Sequence, residues 1–203
     1  ISIEDKKFYK HGGVDYKAVL RAFLSYVKNG EITQGGSTIT QQLARNIFLS
    51  HEVTWERKVE EIFIAWNLEE MYSKDKILEY YINNIYFANG NYGIQAASKS
   101  YFNKDVHDLT LSQTAFLCAI PNNPTLYDPI DNIENTLKRR DRILKQMLSD
   151  GIISQEDYNT ATSEEIVLDI PVREKSDYVE TFVYYCATRA LMENTGFEFR
   201  YKF

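Results

Sequence analysis

Near its N-terminus the chain sets two adjacent carboxylates, Glu4 and Asp5, a few positions ahead of Phe8, Tyr9, His11 and the pair Gly12-Gly13. A carboxylate placed against an apolar wall and a hydrogen-bonding neighbour can act as general base toward a hydroxyl, its proton affinity tuned by those surroundings. Taken alone, the same residues equally describe a surface acidic pair beside a glycine turn. A second block, Gly35-Gly36-Ser37-Thr38-Ile39-Thr40-Gln41-Gln42, leads hydroxyls and free backbone N–H groups into a helix start, where phosphate binds well. Gln41 and Gln42 can donate and accept toward sugar or phosphate oxygens, and Arg45 adds positive charge one turn on. The block reads equally as a capped helix after a loop, and it lacks the Gly-Lys-Ser/Thr element of a P-loop.

The third block is Arg57-Lys58-Val59-Glu60-Glu61. Arg57 and Glu61 stand at i and i+4, Lys58 and Glu61 at i and i+3, so the three share one face of a helix. Two cations there suit a departing pyrophosphate, with Glu61 orienting them or holding a metal. A solvated ion-pair face would look the same.

Helical elements must position these groups. Residues 14 to 28 carry Val19, Leu20, Phe23, Leu24 and Val27 on one stripe, with Lys17, Arg21 and Lys28 elsewhere. Such a stripe suits core packing or an interfacial helix. Residues 55 to 72 carry Val59, Ile62, Phe63 and Trp66 on a stripe expected to face the core. Residues 75 to 87 are apolar and aromatic. Thr110 with Gln113 predicts a capping box opening an apolar helix that ends before Pro121. A helix follows from about Glu134 to Ser149 with Gly151 past its end, and Ser154 with Asp157 caps another. No period-2 hairpin precedes residue 165, so the fold is expected to be mainly α. A boundary falls near 165 to 172, giving a domain over 1–165 and a segment over 166–203. Within that segment, Ile166 to Val172 reads as extended and Asp177 to Asn194 as helical.

In 203 residues, 44% hydrophobic and 26% charged content supports a globular core, and nine glycines and four prolines argue against low complexity. The net charge of −6 predicts no general attraction to nucleic acid or anionic lipid, so an anion site must be local. Cys118 and Cys186 read as free thiols, Cys118 as buried within an apolar run. No apolar stretch approaches the ~20 residues that span a bilayer. No stretch of these residues reads as a secretory leader. The chain opens on Ile1-Ser2-Ile3 directly before its densest motif, which reads as a fragment of a longer protein.

Together the blocks resemble family 51 glycosyltransferases, the peptidoglycan polymerase domain of class A penicillin-binding proteins and monofunctional transglycosylases. The resemblance covers roughly residues 1 to 160. It rests on Glu4-Asp5-x-x-Phe8-x-x-His11-x-Gly13, then Gly36-Ser37-Thr38-Ile39-Thr40-Gln41-Gln42, then Arg57-Lys58-x-x-Glu61. It continues with Lys76-Ile77-Leu78-Glu79-x-Tyr81-Ile82-Asn83, Gly93-Ile94-x-Ala96-Ala97 with Tyr101-Phe102, and Pro121-Asn122-x-Pro124. It implies a lysozyme-like head with a small membrane-associated jaw between the first two motifs. It implies polymerisation of lipid II onto a growing lipid-linked glycan at the outer leaflet of the cytoplasmic membrane, among other cell-wall synthesis proteins.

Carried over by position, Glu4 is implied as the general base and Glu61 as the second essential carboxylate. Asp5, Phe8, His11, Ser37, Thr38, Gln41, Gln42, Arg45, Arg57 and Lys58 are implied as the substrate-binding set. Some members respond to divalent metal, which leaves Mg²⁺ or Mn²⁺ as candidate cofactors. Glu60 departs from the basic residue or glutamine usual there, and Gln113 from the usual glutamate. The tail from Tyr178 to Phe203 resembles the start of a linker to a transpeptidase domain. The readings set against polymerisation are a lysozyme-like muramidase or lytic transglycosylase, and an inactive cell-wall scaffold.

Overall fold

The structure, a computed structural model, describes residues 3–17, 19–20, 36–49 and 54–171. The chain divides into a unit of Ile1–Ile170 and a unit of Pro171–Phe203. The second unit lies outside the described residues from 172 onward, and with it the helix expected from Asp177 to Asn194. The first unit is mainly helical, as the periodicity predicts. The one β-pairing among the described residues is an isolated antiparallel bridge between Tyr86 and Tyr92.

After a short 3₁₀ turn at Phe8–Lys10 come α1 (Ile39–Phe48), α2 (Trp55–Met71), α3 (Lys74–Asn84) and α4 (Ile94–Phe102). Then follow α5 (Leu111–Ala119), α6 (Ile133–Ser149) and α7 (Gln155–Ser163). Short polar residues fix most starts by taking up the orphan N–H groups of the first turn. Thr38 with Gln41, Thr110 with Gln113 and Ser154 with Asp157 form reciprocal capping boxes. Thr54 and Ser73 cap α2 and α3 from one side only. Gly151 closes the turn after α6 in the left-handed conformation.

Two apolar clusters meet at α5. Phe116 and Leu117 join Phe8, Ile39, Leu43, Ile77 and Tyr101 in the larger one. Ala115 and Ala119, on the opposite face, pack with Ile143, Leu144 and Ala161 from α6 and α7. A helix buried on two faces needs apolar residues nearly all round, which is why its sequence reads as a run rather than a stripe. Its remaining edge, Thr114 and Cys118 at i and i+4, is exposed. Cys118 is therefore not buried as its apolar neighbours predict.

The stripe expected to bury α2 also turns the other way. Val59 and Phe63 are 50% and 56% exposed, while Glu61, Ala65 and Leu68 form the buried face. Both stripes recur at helical spacing, and the chosen one carries a carboxylate. Of the helix expected over residues 14 to 28, residues 16, 17, 19 and 20 are helical. Residues 14 and 15 are described and not helical; residues 18 and 21–35, and with them most of the expected jaw, lie outside the described residues. Residues 164–171 form no regular element. Ile166 is nonetheless buried and Leu168 packs on the larger cluster, and the Asp169 amide donates to the Tyr101 carbonyl at 2.9 Å.

At Gly93, φ is +83° and an added Cβ would stand 2.5 Å from the Asn83 carbonyl oxygen. Gly93→Ala is expected to cost at least about 2 kcal/mol, read as a lower urea midpoint. The Ser154 hydroxyl, then its amide, holds the Asp157 carboxyl below its ordinary value. A depressed carboxylate stabilises the fold at neutral pH and loses that contribution as pH falls through its folded value. Ser154→Ala should flatten this part of the acid-unfolding curve; an identical curve would show that the cap does not contribute.

Candidate active site

The Glu4-Asp5 loop is tied down through Asp5. Its buried carboxylate accepts from His11 Nε2 at 2.9 and 3.1 Å and from the Ile39 amide at 3.0 Å. A carboxylate only accepts here, so Nε2 carries the imidazole proton. Phe8 is wholly buried in the larger cluster, with Lys74 Nζ 4.6 Å from its ring centre. Gly13 (φ +87°) lets this loop reach the backbone of α2, where a Cβ would stand 3.0 Å from the Ala65 carbonyl oxygen. The Thr38 hydroxyl donates to the Gly13 carbonyl at 2.6 Å. Asp5, Phe8, Thr38 and Gln41, expected on the ligand side, are buried where this loop meets α1, and His11 is half-buried there.

Glu4 remains 23% exposed and is met from far along the chain. Arg139 Nη2 on α6 donates to its Oε1 at 2.7 Å, and Asn122 Nδ2 approaches the same oxygen at 3.4 Å. Asn122 falls within a sequence motif and Arg139 in none, and nothing local links either to Glu4.

Glu61 lies on the buried face of α2 at 0% exposure. Arg57 Nη1 donates to its Oε2 at 3.0 Å and Lys58 Nζ to its Oε1. Lys58 also donates to the Ser37 hydroxyl at 2.8 Å. A buried carboxylate needs such partners. Of the two roles open to Glu61 in the sequence, holding a metal does not fit. Both oxygens face cations, and no group of three or more His, Cys, Asp or Glu converges among the described residues. Glu61 instead presents Arg57 and Lys58.

A cavity of ≈ 380 Å³ opens beside these groups. Gln42, Arg45 and Asn46 of α1, Arg57 of α2, Tyr81 of α3, the following Ile85 and Tyr86, and Pro121 and Pro124 line it. Arg45 makes no ion pair among the described residues, leaving its charge available to an anion. The Tyr81 hydroxyl donates to Gln42 Oε1 at 3.1 Å. Burial, then the charge of Glu4, pushes the Tyr81 phenol well above its ordinary value, so it stays protonated. Tyr81 and the Pro121–Pro124 turn thus connect the cavity to Glu4. Arg45 and Arg57 line the cavity, and Asn122, between its two lining prolines, reaches Glu4, while Glu61 is buried with both oxygens on Arg57 and Lys58.

A family model described as Transglycosylase matches residues 1–148. Penicillin-binding protein 4 of Bacillus subtilis is 44% identical over 202 residues, covering 98% of this chain and 32% of that protein. Penicillin-binding protein 1F of the same organism is 48% identical over 183 residues, 90% of this chain and 26% of that one. Penicillin-binding protein 1A of Neisseria gonorrhoeae is 42% identical over 196 residues, 97% of this chain and 24% of its own. The chain thus spans a third or less of the length of these relatives. A crystal structure of penicillin-binding protein 1A from Haemophilus influenzae aligns over 77% of this chain and 20% of that one, at 29% identity and a TM-score of 0.45.

Glu61→Gln removes the charge that gathers Arg57 and Lys58. It should cost roughly 2 kcal/mol in urea unfolding. An unchanged midpoint would mean that the two cations hold their places without it.

Proposed function

The chain belongs to the transglycosylase family, and on that premise we propose that it is a peptidoglycan glycosyltransferase that polymerises lipid II. The acceptor's 4-hydroxyl gives its proton to Glu4 as its oxygen attacks the anomeric carbon of the lipid-linked growing chain. The new β-1,4 bond forms with inversion, and the bond to undecaprenyl pyrophosphate breaks with its electron pair on the departing oxygen. Arg45 and Arg57 on the cavity wall, with Lys58 beside them, meet the charge that develops there, and Gln42 hydrogen-bonds the donor. Positive groups fixed before reaction stabilise such charge without reorganising.

The observation that carries this reading is a partly open, hydrogen-bonded carboxylate, joined through Asn122 to a cavity lined by Arg57 and by Arg45, which has no ion pair among the described residues. A glycan hydrolase needs the carboxylates but not an anion cradle. Leu20, Val59 and Phe63, each at least half exposed, support contact with a membrane surface; a lipid II substrate would put that contact at the extracytoplasmic face. Among the described residues no helix is long and apolar enough to cross a membrane.

Lipid II incubated with the protein should yield polymer and free undecaprenyl pyrophosphate on a gel-resolved assay. Cleavage of finished glycan instead would replace the reading with a lytic one, and inertness toward both would favour a scaffold. Glu4→Gln should lower polymerisation about 10²–10⁴-fold while lipid II still binds. Near-wild-type polymerisation by that variant would remove Glu4 from the role of base.

A further inference from the structure

Glu4 takes its hydrogen bonds from residues 118 and 135 positions away, and both fall on Oε1. Among the described residues Oε2 has no partner. The donor that matters most is Arg139, a residue only 8% exposed with its guanidinium carbon 5.0 Å over the Tyr127 ring. That ring contact and the surrounding burial hold the guanidinium in one orientation. Its Nε is buried with no partner among the described residues, and Nη2 is the nitrogen that reaches Glu4. Asn122, the second donor, stands between Pro121 and Pro124, which line the cavity. Neighbouring Arg140 points elsewhere, to the Ser112 hydroxyl and the Glu164 carbonyl, both at 3.2 Å.

Resting on the reading of Glu4 as base, we propose that Arg139 is a positioning residue for glycosyl transfer. It clamps Oε1, with Asn122 as second donor, so that Oε2 is the oxygen presented to the acceptor hydroxyl. A carboxylate on a flexible stem at an open cleft would otherwise sample many orientations, few of them productive. A charge-assisted hydrogen bond to one oxygen restricts that sampling and leaves the other oxygen able to take the proton. The clamp touches no substrate. It should act on the chemical step and leave ground-state binding almost unchanged.

The test uses lipid II polymerisation by the wild-type chain and by Arg139→Ala and Arg139→Lys, with thermal midpoints measured alongside. Arg139→Ala should lower kcat about a hundredfold, with KM for lipid II changed little. Added guanidinium ion should restore part of the lost rate to the Ala variant, and Arg139→Lys should fall between Ala and wild type. A wild-type rate in Arg139→Ala overturns the clamp. So does a Lys variant as slow as Ala together with no response to guanidinium, which would make Arg139 a residue of the fold. A wild-type chain inert toward lipid II would instead overturn the reaction on which the inference rests.

Discussion

A charge withdrawn from water must be met by an opposite charge or by hydrogen-bond donors, and three carboxylates impose that demand on this protein. Glu61, fully buried, draws Arg57 and Lys58 onto one side of α2. Asp5, nearly buried, joins His11 to the first amide of α1. Glu4, partly open, is met by Arg139. Each pairing connects segments far apart in the chain or fixes which side of a helix faces in. With Asp5 seated, the loop lies against α2 and α1 at once, and the carboxylate next to it has little choice but to face the cleft.

This division of labour explains why adjacent residues of like chemistry differ in role. Asp5 is consumed by the fold and Glu4 is not. Thr38 and Gln41 are occupied by the capping box of α1, whereas Gln42, one position on, lines the cavity. Arg140 locks α6 to Ser112 and the chain after α7, while Arg139 turns toward Glu4. Successive residues on a helix point about 100° apart. Neighbours can therefore serve a buried joint and an open site, and residue type alone does not say which serves which.

Much of the architecture was legible. The capping boxes at Thr110 and Ser154, the apolar run of α5, the stop at Pro121 and the turn at Gly151 depend on interactions within a few residues, and all read directly. The inward face of α2 did not. Val59, Ile62, Phe63 and Trp66 form a good apolar stripe, but Glu61, Ala65 and Leu68 recur at equal spacing, and the choice depended on what α2 packs against. Cys118 failed for a related reason. An apolar run establishes that a helix is buried, not which narrow edge of it escapes. Among the site residues, Arg45, Arg57 and Lys58 were legible as cations spaced along helices. Arg139, Asn122 and Tyr81 had no local signal that associated them with Glu4.

By itself, then, the sequence determined the helices, their caps and the inventory of acids, cations and amides, because short-range hydrogen bonding and helical period are written in neighbouring residues. Only the tertiary structure decided which of those groups are sealed into joints and which remain open. It sank Glu61 beneath its cations, enclosed Asp5 and His11, and brought α6 back to Glu4. The physical reason is that burial and pairing are properties of segments meeting in space, and the cost of an unmet charge is assessed only once they have met.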